Sequence, residues 1–410
     1  MRAHRLWVAS ELYYPETTST GYFLTGIAEG LAEQFHVSVL CSQPTYSARG
    51  TVAPRRERRG EVSIQRCAGT RFDKDHLPLR LVNAVTITAA ICWAAFVRVR
   101  RGDLVLVVTN PPTLPFGIAL ACRLRGARFL LLIHDVYPEL AVASGMARPE
   151  SALVRAVAWA TRRLYRAAGR TIVLGRDMQA LVRRKLGDAP DTTVIIPNWG
   201  DVVGIEPRPA SSSLLRARVA AAGDFVVQFM GNMGRSHGVE TVVEAATRAA
   251  SDSNLRFLFV GWGGRRRWLE EAVAERGLKQ VAVLPPCSMA ELPDYLAAAD
   301  IAIIPFLPGM TGISVPSRMY NVMAAGRPIL AVAEPDSELA RVIREERIGW
   351  VVPPSNPEAL LLAIVEARSD PDRLRQMGAR ARAAAERSYS LGRVKIAYQD
   401  LVREVWSAAG

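Results

Sequence analysis

Three glycines and two basic side chains follow a strand-like apolar run in the stretch VVQFMGNMGRSHGVETVVEAA. Gly231 and Gly234 alternate there with Asn232, Arg235 and His237, and helical spacing begins directly afterwards. A glycine-rich turn at a helix start lets backbone N–H groups and the helix dipole meet an anion at close range. Arg235, and His237 when its ring is protonated, would add positive charge. The stretch therefore predicts an anion site, although isolated glycines are also typical of a plain strand-to-helix turn.

A second candidate for the same anion is the stretch TGISVPSRMYN, which we expect to open a helix. Its first turn would offer the backbone N–H groups of Ser314 and Val315. The Ser317 hydroxyl and the Arg318 guanidinium would add a donor and a permanent charge. Because Pro316 has no N–H to give, the alternative that this segment only packs its domain stays open.

Polar side chains also follow the strongly apolar run FLLLI in the first half of the chain. His134 and Asp135 stand at the carboxyl end of this predicted strand, where open α/β sheets keep their chemistry. His134 is either a ligand contact or a satisfied structural histidine. Glu139, directly after a proline, is either an acidic group of the site or a helix-start carboxylate. Asn198, in IIPNWGD, is either a ligand or a turn residue.

The elements that must position these residues alternate between strand and helix. Apolar runs such as DLVLVVT and FLLLIH are separated by helically spaced segments such as GYFLTGIAEGLAEQF, which indicates parallel sheets covered on both faces. The passage GIEPRPASSSLLRA is typical of a linker, and the alternation then restarts. We predict an α/β protein with two doubly wound parallel-sheet domains, residues 1–200 and 201–385, that face a central cleft.

Composition narrows the class of protein. The 410 residues include 52 Lys and Arg against 39 Asp and Glu, a net charge of +13, which favours polyanions, lipid headgroups or phosphorylated small molecules. Nucleic acid is disfavoured because zinc-finger, RNP and KH patterns are missing. The five cysteines form no C-x-x-C pair, which argues against disulfides and a zinc site. The start of the sequence lacks the apolar region of a signal peptide, so we expect a cytosolic protein.

The stretch Leu81–Val97 runs 17 residues without a charge. Asn83, Thr86 and Thr88 make it less apolar than most membrane spans, which need ~17–25 residues. Short apolar runs do not distinguish a buried core helix from one that lies on the bilayer surface with neighbouring arginines on lipid phosphates. Both interpretations stay open.

Several strings in a fixed order resemble one family. The second half contains GNMGRSHG, LFVGWGG, VAVLPPCSMAELPDYLAAADIAIIPF and SVPSRMYNVMAAGRPIL, and the first half contains ELYYPETTSTGYFLTGIAEGLAEQF, HDVYPE and VIIPNWGD. Together they resemble the retaining glycosyltransferases of family GT4, which have the GT-B fold. The likeness covers nearly the whole chain. It is strongest to the branch that adds sugars to lipid-linked precursors of bacterial surface polysaccharides.

The resemblance implies that the anion is the diphosphate of a nucleotide sugar, whose departure is the hard step of transfer. The residues that we expect to act in catalysis are His134, Asp135, Arg235 and Arg318. The expected donor contacts are Gly21, Gly231, Asn232, Gly234, His237, Gly263, Ser314, Val315, Ser317 and Asn321. Glu139 and Asn198 would face the acceptor. Neither glycine-rich stretch contains a D-x-D carboxylate pair that could hold a metal against a diphosphate, so we expect metal independence. The resemblance implies retention by a front-face, ion-pair-like step.

The chain departs from the family pattern at two places. The family has cations where this chain has Asn232 and His237, so Arg235 or Arg318 would have to carry the charge. The family also has two glutamates, where Ile313 and Asn321 stand here. Asn321 can still hydrogen-bond a ribose with both of its polar atoms, whereas a contact between Ile313 and a sugar would be apolar.

We therefore expect a glycosyltransferase, without a cofactor, that works at the inner face of the plasma membrane. It would move a sugar from a nucleotide diphosphate to a glycan precursor, which the resemblance implies to be polyprenyl-linked. The family also returns a C-terminal helix, here residues 386–410, to cover the first domain. Two other classes stay open: a sugar-nucleotide epimerase, which shares the two-sheet architecture, and a catalytically silent partner in a polysaccharide assembly complex, which would account for the missing glutamates.

Overall fold

The computed structural model describes residues 5–45, 51–72 and 77–407, with the backbone alone at residues 77 and 80. The chain forms two compact units. The first consists of Met1–Pro138, Pro149–Pro197 and Gly392–Gly410, and the second of Glu139–Arg148 and Asn198–Leu391.

The first unit is built on an eight-stranded sheet. The elements before residue 200 are β1 (Leu6–Ala9), α1 (Ser19–Ala32), β2 (Val37–Cys41), β3 (Arg56–Arg59), β4 (Val62–Arg66), α2 (Leu77–Arg98), β5 (Leu104–Val108), α3 (Leu114–Arg125), β6 (Arg128–Leu132), α4 (Glu139–Ala143), α5 (Ala152–Ala167), β7 (Arg170–Val173), α6 (Arg176–Leu186) and β8 (Thr193–Ile195). The strand order is β3-β4-β2-β1-β5-β6-β7-β8. Neighbouring strands are parallel except for the β3–β4 hairpin.

The second unit is built on a six-stranded sheet. Its elements continue as α7 (Leu214–Val219), β9 (Phe225–Asn232), α8 (Val239–Arg248), β10 (Leu255–Trp262), α9 (Arg266–Glu275), β11 (Val281–Leu284), α10 (Leu292–Ala297), β12 (Ile301–Pro305), α11 (Arg318–Ala324), β13 (Ile329–Val332), α12 (Glu338–Glu346), β14 (Gly349–Val352), α13 (Pro357–Ser369) and α14 (Pro371–Ser388). The strand order is β11-β10-β9-β12-β13-β14, and every neighbouring pair is parallel.

The strands predicted from apolar runs are confirmed in both sheets, and the central ones are buried along their whole length. The expected linker is more ordered than predicted, because it contains a short 3₁₀ turn, Ala210–Ser212, and α7. Ser213 is the N-cap of α7, and its hydroxyl accepts a hydrogen bond of 3.0 Å from the Arg216 backbone N–H.

The last helix, α15 (Leu391–Ser407), packs within the first unit against the end of α1. Gln399 donates a hydrogen bond of 2.8 Å to the Gly30 carbonyl, and Lys395 pairs with Glu33 at 2.6 Å. A Cβ at Gly30 would lie 2.4 Å from the Lys395 side chain. The close approach of the two helices therefore depends on glycine at this position.

Candidate functional site

The glycine-rich turn lies at the carboxyl end of β9, the strand that pairs with both β10 and β12. The strand runs two residues further than its apolar part and ends at Asn232, and α8 begins at Val239. On one side the Met233 N–H donates to the Trp262 carbonyl at 2.6 Å, and on the other the Leu307 N–H donates to the Ser236 carbonyl at 3.2 Å. The turn is thus held between the loops that follow its two neighbouring strands.

Glycine is required here because backbone approaches backbone. A Cβ at Gly263 would lie 2.5 Å from the Met233 carbonyl oxygen, and the residue has a φ of +143°. Gly231 has a φ of +129°, and a Cβ there would lie 3.5 Å from the Arg318 guanidinium. These two predicted donor contacts therefore shape the turn. Gly234 lies in the same turn beside the side chains of Asn232 and His237.

Arg318, the first residue of α11, lies against this turn. Its guanidinium carbon is 4.6 Å from the centre of the Phe229 ring, and Nη2 donates a long hydrogen bond of 3.4 Å to the Asn232 carbonyl. Nη1 is buried and has no hydrogen-bond partner among the described residues. Burial lowers the pKa of Arg318 to about 10, so the group stays charged at neutral pH. A buried donor without a partner is costly, so we expect Nη1 to bind an anion.

His237 completes the turn as a neutral ring. It stacks on Phe306, with the ring centres 6.0 Å apart, and its backbone N–H donates to the Gly234 carbonyl at 3.2 Å. Burial, and secondly the charge of Arg318, hold the pKa of His237 well below its ordinary value. The condition under which we expected His237 to add positive charge is therefore not met in this structure.

The other predicted donor residues differ in exposure. Arg235 is exposed on the turn, so the cation that the fold holds against the glycines is the one on α11. Ser314 and Ser317 are half-buried, and Val315 is buried. Ile313 is buried as well. The sequence alone does not show which of the two candidates, Arg235 or Arg318, lies against the glycine turn.

Asn321 has a contact that the sequence did not predict. Its Oδ1 accepts a hydrogen bond of 3.0 Å from the Asp201 backbone N–H. The expected hydrogen bond to a ribose would therefore come from the amide nitrogen of Asn321. In the same region a Cβ at Gly200 would lie 2.3 Å from the Tyr320 carbonyl oxygen. Asn198 is buried within this unit. The NWGD segment therefore packs against α11 and is hydrogen-bonded to it. Its sequence is typical of a turn and did not predict this contact.

In the first unit, His134 comes together with Thr20 and Thr109. The Thr20 hydroxyl lies 3.3 Å from Nδ1 of His134, and the His134 backbone N–H donates to the Thr109 hydroxyl at 3.1 Å. Nε2 is buried and has no partner in the described part of the chain. Burial lowers the pKa of His134 to about 4, so the ring is neutral at pH 7. His134 is thus only half satisfied, and one ring nitrogen could serve a ligand hydroxyl.

Acid should destabilise the first unit through His134. Because its folded pKa of about 4 lies below the ordinary value of about 6.5, the unfolded chain takes up the proton first as the pH falls. This contribution is complete above pH 6.5 and is lost between pH 6.5 and 4, a loss of ~3 kcal/mol. His134→Gln should flatten the pH dependence of the thermal midpoint over this range. His36→Gln, at an exposed position, is the control, and equal pH dependence in both variants would contradict the assignment.

Three further predicted residues are placed as follows. A Cβ at Gly21 would lie 2.7 Å from the Glu16 carbonyl oxygen, so the close approach of these two segments requires glycine. The donor contact of Gly21 stays a prediction. Asp135 is half-buried, and its backbone N–H donates a long hydrogen bond of 3.5 Å to the Thr109 hydroxyl. Glu139 is the first residue of α4, as its helix-start interpretation predicted.

A small polar cavity lies in the first unit, beyond the carboxyl ends of β1, β2 and β4. Glu11, Thr70 and Arg71 line it, together with Asn83 of α2. Asn83 accepts hydrogen bonds from the Thr70 hydroxyl at 2.8 Å and from the Phe72 N–H at 3.0 Å. Sequence reasoning missed this cavity, and the polar residues that interrupt α2 were its only signal.

Two doubly wound parallel sheets in one chain, the second with a cation-flanked glycine turn at a strand's carboxyl end, form the GT-B fold. The family model described as "Glycosyl transferase 4-like domain" matches residues 20–199. The model described as "Glycosyl transferases group 1" matches residues 224–370. The chain belongs to this family of glycosyltransferases, GT4, and the resemblance in the sequence is confirmed.

The chain is similar to other members of the family along most of its length. It shares 32% identity with the probable glycosyltransferase WbjE of Pseudomonas aeruginosa, over 88% of this chain and 89% of that protein. It shares 26% identity with WcaI of Escherichia coli K12, named for colanic acid biosynthesis, over 87% of this chain and 90% of that protein. Its fold matches that of Anabaena HepE in complex with UDP-glucose, with a TM-score of 0.74 and 15% identity, over 98% of this chain and 99% of that one.

Proposed function

We propose that this glycosyltransferase moves a sugar from a nucleotide diphosphate, and that the diphosphate binds against Arg318 and the turn after β9. The observation that supports this most directly is the buried Nη1 of Arg318, which has no hydrogen-bond partner among the residues described. A phosphate oxygen would accept this hydrogen bond and neutralise the charge. The bound UDP-glucose of the structurally similar HepE supports the same class of donor.

In the proposed reaction the bond between the sugar C1 and the diphosphate oxygen breaks, and a bond from C1 to the acceptor oxygen forms. The developing negative charge on the leaving diphosphate would be stabilised by Arg318 and by backbone N–H groups of the turn. The acceptor hydroxyl would lose its proton to the departing phosphate. We propose that the step retains the anomeric configuration and needs no metal, because a fixed guanidinium can stabilise the leaving group. His134 would bind a hydroxyl of the sugar or the acceptor, with Asp135 beside it.

For the acceptor we propose a glycan precursor, polyprenyl-linked, in the synthesis of a cell-surface polysaccharide at the cytosolic face of the membrane. The similarity to WcaI, named for colanic acid biosynthesis, supports this class.

A thermal-shift screen with UDP, GDP, ADP and their sugars tests the donor site. The correct nucleotide at a hundred times its Kd should stabilise the protein by ~2.7 kcal/mol, with or without EDTA. Transfer to lipid-linked acceptors, followed by NMR of the product, should show the donor's anomeric configuration. Product formed from the donor alone would favour an epimerase. Binding without transfer across a broad acceptor panel would favour a silent partner, and no shift with any nucleotide would contradict the proposal.

A further inference from the structure

The positive charge of this protein is concentrated in one part of the chain. Residues 77–170 contain 13 arginines and four acidic residues, a net charge of +9 out of the +13 of the whole chain. The rest of the sequence is therefore much closer to neutral. This distribution favours an anionic partner for the surface that residues 77–170 form.

Three helices from this part of the chain lie side by side on the first sheet. The helices α2, α3 and α5 connect β4 to β5, β5 to β6 and β6 to β7, so all three cross in the same direction along the strand order. Right-handed crossovers in one direction place their helices on one face of a sheet. In agreement, α2 packs on α3, and α3 packs on α5. We call the solvent side of these helices the α2–α3–α5 face.

The helix α2 is buried on one side and apolar on its exposed side. Ile91 and Ala95 are buried in the first unit. The exposed large apolar side chains of α2 include a stripe at helical spacing, formed by Leu81, Val85, Trp93 and Val97. The segment Leu81–Arg98 is apolar enough to cross a membrane, with a mean hydropathy of 1.6. Because its other side packs on the unit, however, the structure favours a helix that lies along a bilayer rather than across it.

The neighbouring helices extend this surface. Leu120 and Leu124 of α3 are 58% and 62% exposed, and Trp159 of α5 is 59% exposed. The guanidinium carbon of Arg163 stands 4.1 Å from the centre of the Trp159 ring. Exposed Arg123 lies on the same helix as the two leucines. Such side chains combine an apolar body with a polar end and are enriched at membrane interfaces.

We propose that the α2–α3–α5 face docks on an anionic phospholipid bilayer, with its apolar stripe in the headgroup boundary and its arginines on lipid phosphates. The inference deepens the proposed function by naming the surface that would bring the enzyme to a lipid-linked acceptor, and it rests on that function for its purpose. A second copy of the same face would bring two cationic surfaces together. A nucleic acid would leave the apolar stripe in water. An anionic bilayer complements both properties.

Vesicle co-sedimentation of the full chain, without any substrate, tests this surface. Vesicles of phosphatidylcholine with phosphatidylglycerol should bind the protein at least tenfold more tightly than phosphatidylcholine alone, and salt should weaken the binding. Trp93→Ser with Leu124→Ser, and separately Arg123→Glu with Arg163→Glu, should each lower the affinity at least tenfold. Each of these side chains is at least partly exposed, so the variants should fold, which circular dichroism will confirm.

Matched controls lie on α13 and α14 of the second unit. Leu362→Ser with Val365→Ser removes exposed apolar side chains, and Arg375→Glu reverses an exposed charge; neither should change vesicle binding. Equal binding by test and control variants would overturn the proposal. The proposal would also be overturned if the wild type were a dimer and the Trp93 and Leu124 changes dissociated it without changing lipid binding. If the protein binds vesicles but transfers no sugar, the result contradicts the proposed function and still supports this inference.

Discussion

Arg318→Met should remove most of the donor affinity while leaving the unliganded protein at least as stable as the wild type. A hydrogen bond to a charged group contributes ~1.5–3 kcal/mol, so Kd for the nucleoside diphosphate should rise by ~10-fold to 150-fold. In the reaction kcat/KM should fall by ~10²–10³, the size of effect seen when one hydrogen-bond donor to a developing negative charge is removed from an active site. Stability should not fall, because the change removes a buried Nη1 that has no hydrogen-bond partner among the described residues and introduces an apolar side chain of similar length.

Titration calorimetry and thermal unfolding of the same samples measure these two effects. Arg235→Met is the matched control, since Arg235 is exposed on the turn itself, and it should weaken binding by less than Arg318→Met does. Arg318→Lys should restore part of the affinity, because it keeps the charge and loses the planar geometry. An Arg318→Met protein that binds the nucleotide as tightly as the wild type would remove the basis of the proposed donor site.

Gly261→Ala should destabilise the second unit and abolish nucleotide binding. Gly261 pairs with Gly231 across β9 and β10, and a Cβ at Gly261 would lie 1.9 Å from the Gly231 carbonyl oxygen. Its φ of +144° is in addition a conformation that alanine rarely adopts. Relief of the clash must part the two strands at the point where the turn begins, so we expect a loss of at least ~3 kcal/mol in the free energy of unfolding.

Gly264→Ala is the control for this prediction. Gly264 lies three residues further along the chain, in the loop after β10, and a Cβ there would meet nothing within 4 Å. Alanine at this position should change the free energy of unfolding by less than ~0.5 kcal/mol. Denaturant unfolding of both variants, followed by nucleotide titration, provides the comparison. If the two alanine variants were equally stable, the close contact between β9 and β10 would not exist in solution.

The sequence predicted the sheets well because strands covered on both faces must be apolar throughout. The structure confirms this for β5 and β12. The hairpin of β3 and β4 was missed for the opposite physical reason. The strand β3, Arg56–Arg59, consists of charged residues at the edge of the sheet. Charge at an edge prevents further strand pairing, but it also removes the pattern by which a strand is recognised.

The candidate site was predictable in its backbone and less so in its side chains. A glycine turn is a local requirement, so Gly231 and Gly263 could be found from the sequence. The choice between Arg235 and Arg318 depends on strand order, since β12 lies next to β9 only in the folded sheet. The hydrogen bond from Asp201 to Asn321 likewise joins residues 120 positions apart. Contacts of this kind follow from tertiary structure, which a motif does not encode.

A crystal structure of the full chain with a nucleoside diphosphate, chosen as the one that gives the largest thermal shift, tests the central claim most directly. We predict a phosphate oxygen ~2.7–2.9 Å from Nη1 of Arg318, with the diphosphate lying over the turn that contains Gly231 and Gly234. A diphosphate bound elsewhere in the second unit, with Nη1 of Arg318 still unpaired, would contradict it.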